Sequence, residues 1–189
     1  EPSEEDENPT EEPPKSPEQR LQEAIDAEPE DLGNYLELAD LMTHSQRYQE
    51  AEALLTKALQ ISDGDLHIQE RLEDTHLRRG RLEVELAERR AAKTQTPEEI
   101  EHVQTMRSKM NQRELEVYRI RSQRNPGSTS IQYELGIRLK RAGEFAQAIQ
   151  SFQNARDDAR RKARVHLELG ECFQKIGQHK LAMKEYEAA

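Results

Sequence analysis

The feature that most constrains this chain is a spacing that returns every 34 residues. Segment 32–65 carries Tyr35, Leu38, Ala39 and Met42, then Ala51, Leu55 and Ala58. Segment 129–162 carries Gln132, Leu135, Gly136 and Leu139, then Gly143, Ala148, Phe152 and Ala155. Segment 163–189 carries His166, Leu169, Gly170 and Phe173, then Gly177, Ala182, Tyr186 and Ala189. Large residues three or four apart form one apolar stripe on a helix. Ala and Gly at the crossings let two backbones approach, and a Gly between the helices relieves the turn. Each segment therefore predicts two antiparallel helices. One pair cannot bury both of its faces, so pairs must stack.

Composition agrees with a thin core between stacked helices rather than one thick globular core. Of 189 residues, 35% are charged, 33% hydrophobic and only 4% aromatic, with no Trp. The abundance of Ala, Leu, Glu, Gln, Arg and Lys favours helix over strand. Cys172 is the single cysteine, so no internal disulfide framework is implied. No apolar run approaches the roughly 20 residues of a membrane-spanning helix. No signal peptide is visible, and a chain that does not begin with Met is expected to be a partial or processed product, so the compartment is only weakly constrained, with a cytoplasmic one favoured.

The net charge of −10 is unevenly placed. Residues 1–31 sum to −11 and residues 32–102 to −6, whereas residues 103–164 sum to +8. Residues 1–17 hold five prolines and no large apolar residue, so this acidic tail is expected to be disordered. Structure is expected to begin at Ser16-Pro17-Glu18-Gln19, where Ser caps, Pro opens the first turn and Gln closes a capping box. Thr96-Pro97-Glu98-Glu99 repeats the device and predicts a second firm helix start.

The spacings resemble the tetratricopeptide repeat pattern of large-x2-Leu-Gly-x2-large, followed by Ala-x3-aromatic and a second Ala. The stretches 143–155, 47–58 and 177–189 are similar to second helices of that family. The resemblance implies an all-α fold: a right-handed solenoid of about ten helices in tetratricopeptide-like pairs, with one long irregular central helix. Segment 66–94 fits by halves. Leu72, Gly80, Leu82 and Leu86 agree, while Glu73, His76, Glu85 and Arg89 put charge where core is expected. Residues 18–28 look like a lone second helix. In the middle the rhythm breaks, because the starts at 32 and 129 fall five residues short of three periods. Residues 97–124 are expected to form one helix about 40 Å long, the alternative being a degenerate pair broken near 109–111. The resulting plan is a tail over 1–17, repeat-like helices over 18–94, the connecting helix or degenerate repeat over 95–128, and repeats over 129–189. The last repeat is incomplete, so the natural protein is expected to continue.

In this family the first helices line a concave groove that holds peptides or extended segments. Carried over by place, that implies partner-binding residues Leu36, Asp40, His67, Glu70, Asp74, Tyr133, Ile137, Lys140, Arg141, Arg164, Leu167 and Lys175, with His44, Arg78 and Glu171 beside them. The places where some family members grip a C-terminal carboxylate hold Leu36, Asp40, Glu70, Asp74 and Glu134, so a carboxylate clamp of that kind is not implied.

Basic residues cluster at Arg107, Lys109, Arg113, Arg119, Arg121 and Arg124, and again at Arg156, Arg160, Arg161, Lys162 and Arg164. Surface charge is their plainest reading, an acidic protein partner the next. Nucleic acid is not the expected partner, because net charge is negative and no aromatic platform accompanies the arginines. The charge map carries the hypothesis that the acidic tail folds back on the basic middle and competes with such a partner as a tethered rival. The six histidines show no metal-ligand spacing, His166 reads as packed, and Cys172 reads as a small buried residue. No nucleotide loop, zinc-protease or nucleophile-elbow motif occurs, so neither catalysis nor a cofactor is expected. The leading expectation is a scaffold that binds an unidentified protein partner. Self-assembly through end helices, giving a homo-oligomer, is the first alternative, and polyanion binding by the basic middle is the second.

Overall fold

The computed structural model describes residues 15–189, and all of its regular structure is helical. The acidic tail of residues 1–14 lies outside the described residues. Nine helices follow among those described: α1 (Pro17–Ala27), α2 (Leu32–His44), α3 (Tyr48–Ile61), α4 (Leu66–Thr94), α5 (Pro97–Arg124), α6 (Thr129–Arg141), α7 (Phe145–Asn154), α8 (Lys162–Lys175) and α9 (His179–Glu187). The chain divides into two compact units, one ending at Arg79 and the other running from Gly80 to Ala189.

The expected caps form. Ser16 accepts from the Gln19 amide while the Gln19 side chain accepts from the Ser16 amide, and Thr96 accepts from the Glu99 amide. In the first unit α1, α2 and α3 enclose Ile25, Tyr35, Leu38, Ala39, Met42, Ala51, Leu55, Ala58 and Ile68. The lone helix α1 thus buries its stripe against α2. In the second unit the core runs from Leu115 through Tyr133, Leu135, Leu139, Phe152, Val165 and Leu169 to Ala182.

Close approach of paired helices explains the small residues. A Cβ added at Gly136 would lie 2.6 Å from the Phe152 ring, and one at Gly170 would lie 2.4 Å from the Tyr186 ring. In α2 and α3 the same two places hold Ala39 and Leu55, a larger residue facing a smaller one. The turns are alike too. Gly143 and Gly177 take φ of +79° and +76°, the left-handed region that the α6–α7 and α8–α9 turns require. Gln46 adopts φ 59° at the matching place between α2 and α3.

Residues 66–94 depart from the expectation of a pair, because α4 runs unbroken through Gly80, which occupies the turn position. Folding back at Gly80 would press Glu73 and His76 against Glu85 and Arg89 in a core. Burying charged groups costs several kcal/mol each unless they are paired, whereas a mid-helix Gly costs roughly 1 kcal/mol. The straight helix leaves Glu85 and Arg89 exposed and ion-paired at 2.5 Å. The helix α5 is likewise continuous through 109–111, as the long-helix reading expects. Ala87 and Ala91 of α4 pack on Val103 of α5, with Met106 alongside.

Candidate partner-binding surface

In the first unit, α2 brings Leu36 and Asp40 to one face. Leu36 is half-buried against the core. Asp40 is exposed and pairs with Arg71 of α4, whose guanidinium also reaches the Leu36 carbonyl at 3.4 Å. On α4, His67 is exposed, while Glu70 and Asp74 are half-buried. A neutralised Asp40 makes this face less acidic than the sequence implies.

In the second unit α6 carries Tyr133, Ile137, Lys140 and Arg141. Tyr133 is only 9% exposed and belongs to the core, its ring 5.9 Å from that of Phe152. Burial, and then the nearby Glu168 charge, hold its hydroxyl above the usual tyrosine range. It therefore acts in packing, and offers a partner little surface. Ile137 is half-buried against the same core. Lys140 bridges to Glu168 and Glu171 of α8, tying two successive first helices together. Burial pulls its ammonium down, but the hydrogen bonds it donates to those two carboxylates outweigh this and hold it above the ordinary lysine range.

On α8, Arg164, Leu167 and Lys175 are exposed. Leu167, 45% exposed, lines a hollow of about 670 Å³ with Glu171, Gln174, Lys175, His179 and Tyr186. An apolar side chain flanked by both signs of charge suits a partner with apolar and charged groups. His166 is not simply packed. Its Nδ1 lies 2.7 Å from Glu185, which also receives Arg156, so three elements meet on one buried carboxylate. Cys172 is fully buried, and burial, with the Glu168 and Glu171 charges behind it and against the opposing pull of Lys140, leaves its thiol pushed up to about 11. It is a protonated core residue at neutral pH. Among the described residues no His, Cys, Asp and Glu group is arranged to hold a metal ion. No described helix is long and apolar enough to cross a membrane.

A further site was missed by sequence reasoning. Glu114 of α5 is 3% exposed. It stands 34 and 68 residues before Ala148 and Ala182, in the place where the repeat has a buried Ala. Arg81 of α4 donates to its Oε1 at 2.6 Å, and Arg138 and Arg141 of α6 approach its Oε2 at 3.5 Å. Arg138, also buried, stacks 4.0 Å above the Tyr118 ring and donates to Glu134. A cleft of about 570 Å³ opens over this cluster between α4, α5 and α6, with Val84 and Met110 on its apolar side. The one signal in the sequence was a carboxylate at an alanine place.

The tetratricopeptide repeat model matches residues 18–65 and 133–189. No curated protein matches the sequence. Solved structures share the fold. One of MamA is 13% identical with a TM-score of 0.53, covering 90% of this chain and 83% of its own. MamA from Desulfovibrio magneticus RS-1, residues 41 to the end, is 17% identical with a TM-score of 0.54, covering 90% and 80%. YrrB, described as a TPR protein with an unusual peptide-binding site, is 15% identical with a TM-score of 0.52, covering 90% and 91%. At these identities the likeness carries the fold alone.

Proposed function

The chain belongs to the tetratricopeptide repeat family, and from that premise we propose that it is a protein-interaction scaffold that binds an extended segment or helix of a partner along the first helices of its pairs. Binding needs no chemistry from the chain, only shape and charge complementarity on helices held rigid by their neighbours. The observation that carries this reading is the α8–α9 hollow, where Leu167 stays exposed between Lys175 and Glu171. Exposed apolar side chains rimmed by charge mark interaction surfaces. The peptide-binding site named for YrrB, which shares the fold, supports the same reading. The partner is a protein of unidentified kind, and a cytoplasmic setting is proposed with it.

The test is affinity capture with the whole chain and with a Leu167→Ala, Lys175→Ala double variant. The reading expects at least one protein retained by the native chain and lost from the variant. An identical set of captured proteins would count against it.

A second reading is self-assembly through an end helix, favoured by Leu181, Met183 and Tyr186 of α9, which are 45%, 63% and 37% exposed. Light scattering over a concentration series tests it. A constant monomer mass rejects it.

A further inference from the structure

We propose that the cleft between α4, α5 and α6 binds a short acidic peptide segment, its carboxylate taken by Arg141 and Arg81 and its neighbouring apolar side chain laid on Val84 and Met110. This rests on the binding role above and specifies the chemistry of one partner segment.

Glu114 is a carboxylate out of place in the repeat. In α7 and α9 the place of Glu114 belongs to alanines, Ala148 and Ala182, that are 0% and 3% exposed. Placing a carboxylate there imposes a desolvation penalty that packing alone does not return. What offsets it is a set of guanidinia converging from two other helices. Arg81, Arg138 and Arg141 are three positive charges, and among the described residues the carboxylates paired with them are Glu114 and Glu134. The cluster therefore holds one positive charge in excess.

The excess is exposed to the cleft, not sealed away. Arg138 is clamped, 8% exposed at its side chain, between the Tyr118 ring and two carboxylates. Arg81 and Arg141 are 50% and 55% exposed. Among the described residues Arg141 meets a carboxylate only in the 3.5 Å approach to Glu114, longer than a hydrogen bond, so its donors remain available for a bidentate carboxylate. Two atoms beneath it, Glu114 Oε2 and Arg138 Nε, are buried without a hydrogen-bond partner among the described residues. Most such atoms in folded proteins are satisfied, and exceptions concentrate where function needs them. Glu114 thus works from below, holding three arginines in place without neutralising them.

The remaining lining selects among anions. Glu85 and Glu88 sit on the rim, and Arg107 is already engaged by Glu88 at 2.6 Å. A strand of phosphates would meet these carboxylates at close range. Among the described residues no aromatic side chain lines the cleft, and the Tyr118 ring beside it already carries the guanidinia of Arg138 and Arg121 at 4.0 and 5.4 Å, so the cleft lacks the platform on which bases stack. A single carboxylate beside an apolar side chain meets neither obstacle. A volume of about 570 Å³ is in the range of clefts that hold small ligands or a few residues of peptide.

The chain carries its own reporters for the test. Its four methionines are Met42, Met106, Met110 and Met183. Met110 lines the cleft, Met183 lies one turn from His179 and Tyr186 at the α8–α9 hollow, and Met42 is buried in the first unit. Whole protein labelled with 13C at the methionine methyls is titrated with a pool of capped hexapeptides built from Glu, Asp, Leu and Ile. A matched pool with Gln and Asn replacing the acids, and oligo-deoxythymidine, are titrated in parallel.

The proposal expects the acidic pool to shift the Met110 methyl, the amide pool to leave it unmoved, and Arg141→Ala to weaken the acidic titration about tenfold. Arg141 is exposed, so its removal leaves the fold intact, and circular dichroism verifies this. Lys57→Ala, which removes an exposed positive charge on α3, is expected to have no effect on the Met110 signal. An unmoved Met110 methyl overturns the proposal, as does equal response to both pools, equal affinity in Arg141→Ala, or tighter binding of the oligonucleotide. A shift at Met183 alone overturns the cleft while leaving the scaffold reading in place.

Discussion

The pairs α6–α7 and α8–α9 and the long helices α4 and α5 solve the same problem in opposite ways. The pairs bring backbones together through Gly136 and Gly170, each under an aromatic ring, and bury Leu139, Val165, Leu169 and Cys172 almost completely. The long helices are held by a few small contacts, Ala87 and Ala91 on Val103, and by ions that include a buried carboxylate. The same turn position holds a glycine in both regions, and only in the pairs does the chain turn there. The difference teaches that a repeat is enforced by what its stripes can bury. Where charge occupies the stripe, the chain straightens and leaves a polar cleft in place of a core.

The sharpest way to break this contrast is to restore the repeat's alanine in α5. Glu114→Ala leaves three arginines without their shared carboxylate and is expected to lower stability by about 3 kcal/mol in urea unfolding. Glu85→Ala, on the exposed face of α4, is expected to change it by less than about 0.5 kcal/mol. Equal small effects would show that the buried charge is not integral to the long-helix region.

The pairs, by contrast, are expected to respond to alkali through their apolar core. The Cys172 thiol is pushed up to about 11 from an ordinary value of 9.0 by burial. A raised thiol is protonated in both states below pH 9, so its contribution is complete there and is lost as pH rises through 11. The shift corresponds to about 3 kcal/mol. Melting curves from pH 8 to 11 should therefore fall more steeply for the native chain than for Cys172→Ala. Raised Lys140 acts in the same direction at the top of that window.

A smaller effect tests the close approach itself. Gly136→Ala is expected to cost about 1–2 kcal/mol by pressing on Phe152. The double variant with Phe152→Leu should recover part of it, because α2 and α3 already combine Ala39 with Leu55. Smallest is Gly80→Ala. The added Cβ would meet the far end of the flexible Met110 side chain, its Sδ at 2.7 Å and its Cε at 3.6 Å. Removing a mid-helix glycine favours the helix, so thermal melting should rise, by no more than about 1 kcal/mol of stability. A loss as large as that of Gly136→Ala would mean that Gly80 serves a turn.

Much of this was legible in the residues. The stripes, the crossing glycines with their facing rings and the caps at Ser16 and Thr96 each carry a local signal that the fold obeys. Gly80 could not be read locally, because a glycine before a polar residue looks the same in a turn and in a helix. Its fate depends on Glu73, His76, Glu85 and Arg89, and on the cost of bringing them together. Gln46 took the left-handed turn without the glycine that normally announces it. On the candidate surface, family position points to Leu167, which lies on an exposed face of α8. It points equally to Tyr133, whose ring turns into the core, and to Asp40, which is paired with Arg71. The Glu114 cleft drew on residues far apart in sequence, Arg81, Glu114 and Arg138, whose meeting no spacing predicts.

The account depends most on α5 running straight through residues 109–111, because only then does Glu114 reach Arg81 and Arg138 together. Spin labels at Gln104 and Gln123, both exposed, in a Cys172→Ala background measure this by pulsed electron resonance. A continuous helix places the labelled backbones about 28 Å apart, at 1.5 Å per residue. A pair folded back near 109–111 would bring them within about 20 Å, with antiparallel helices about 9 Å apart. A single population at the longer distance is the predicted result, and a dominant short distance would contradict it.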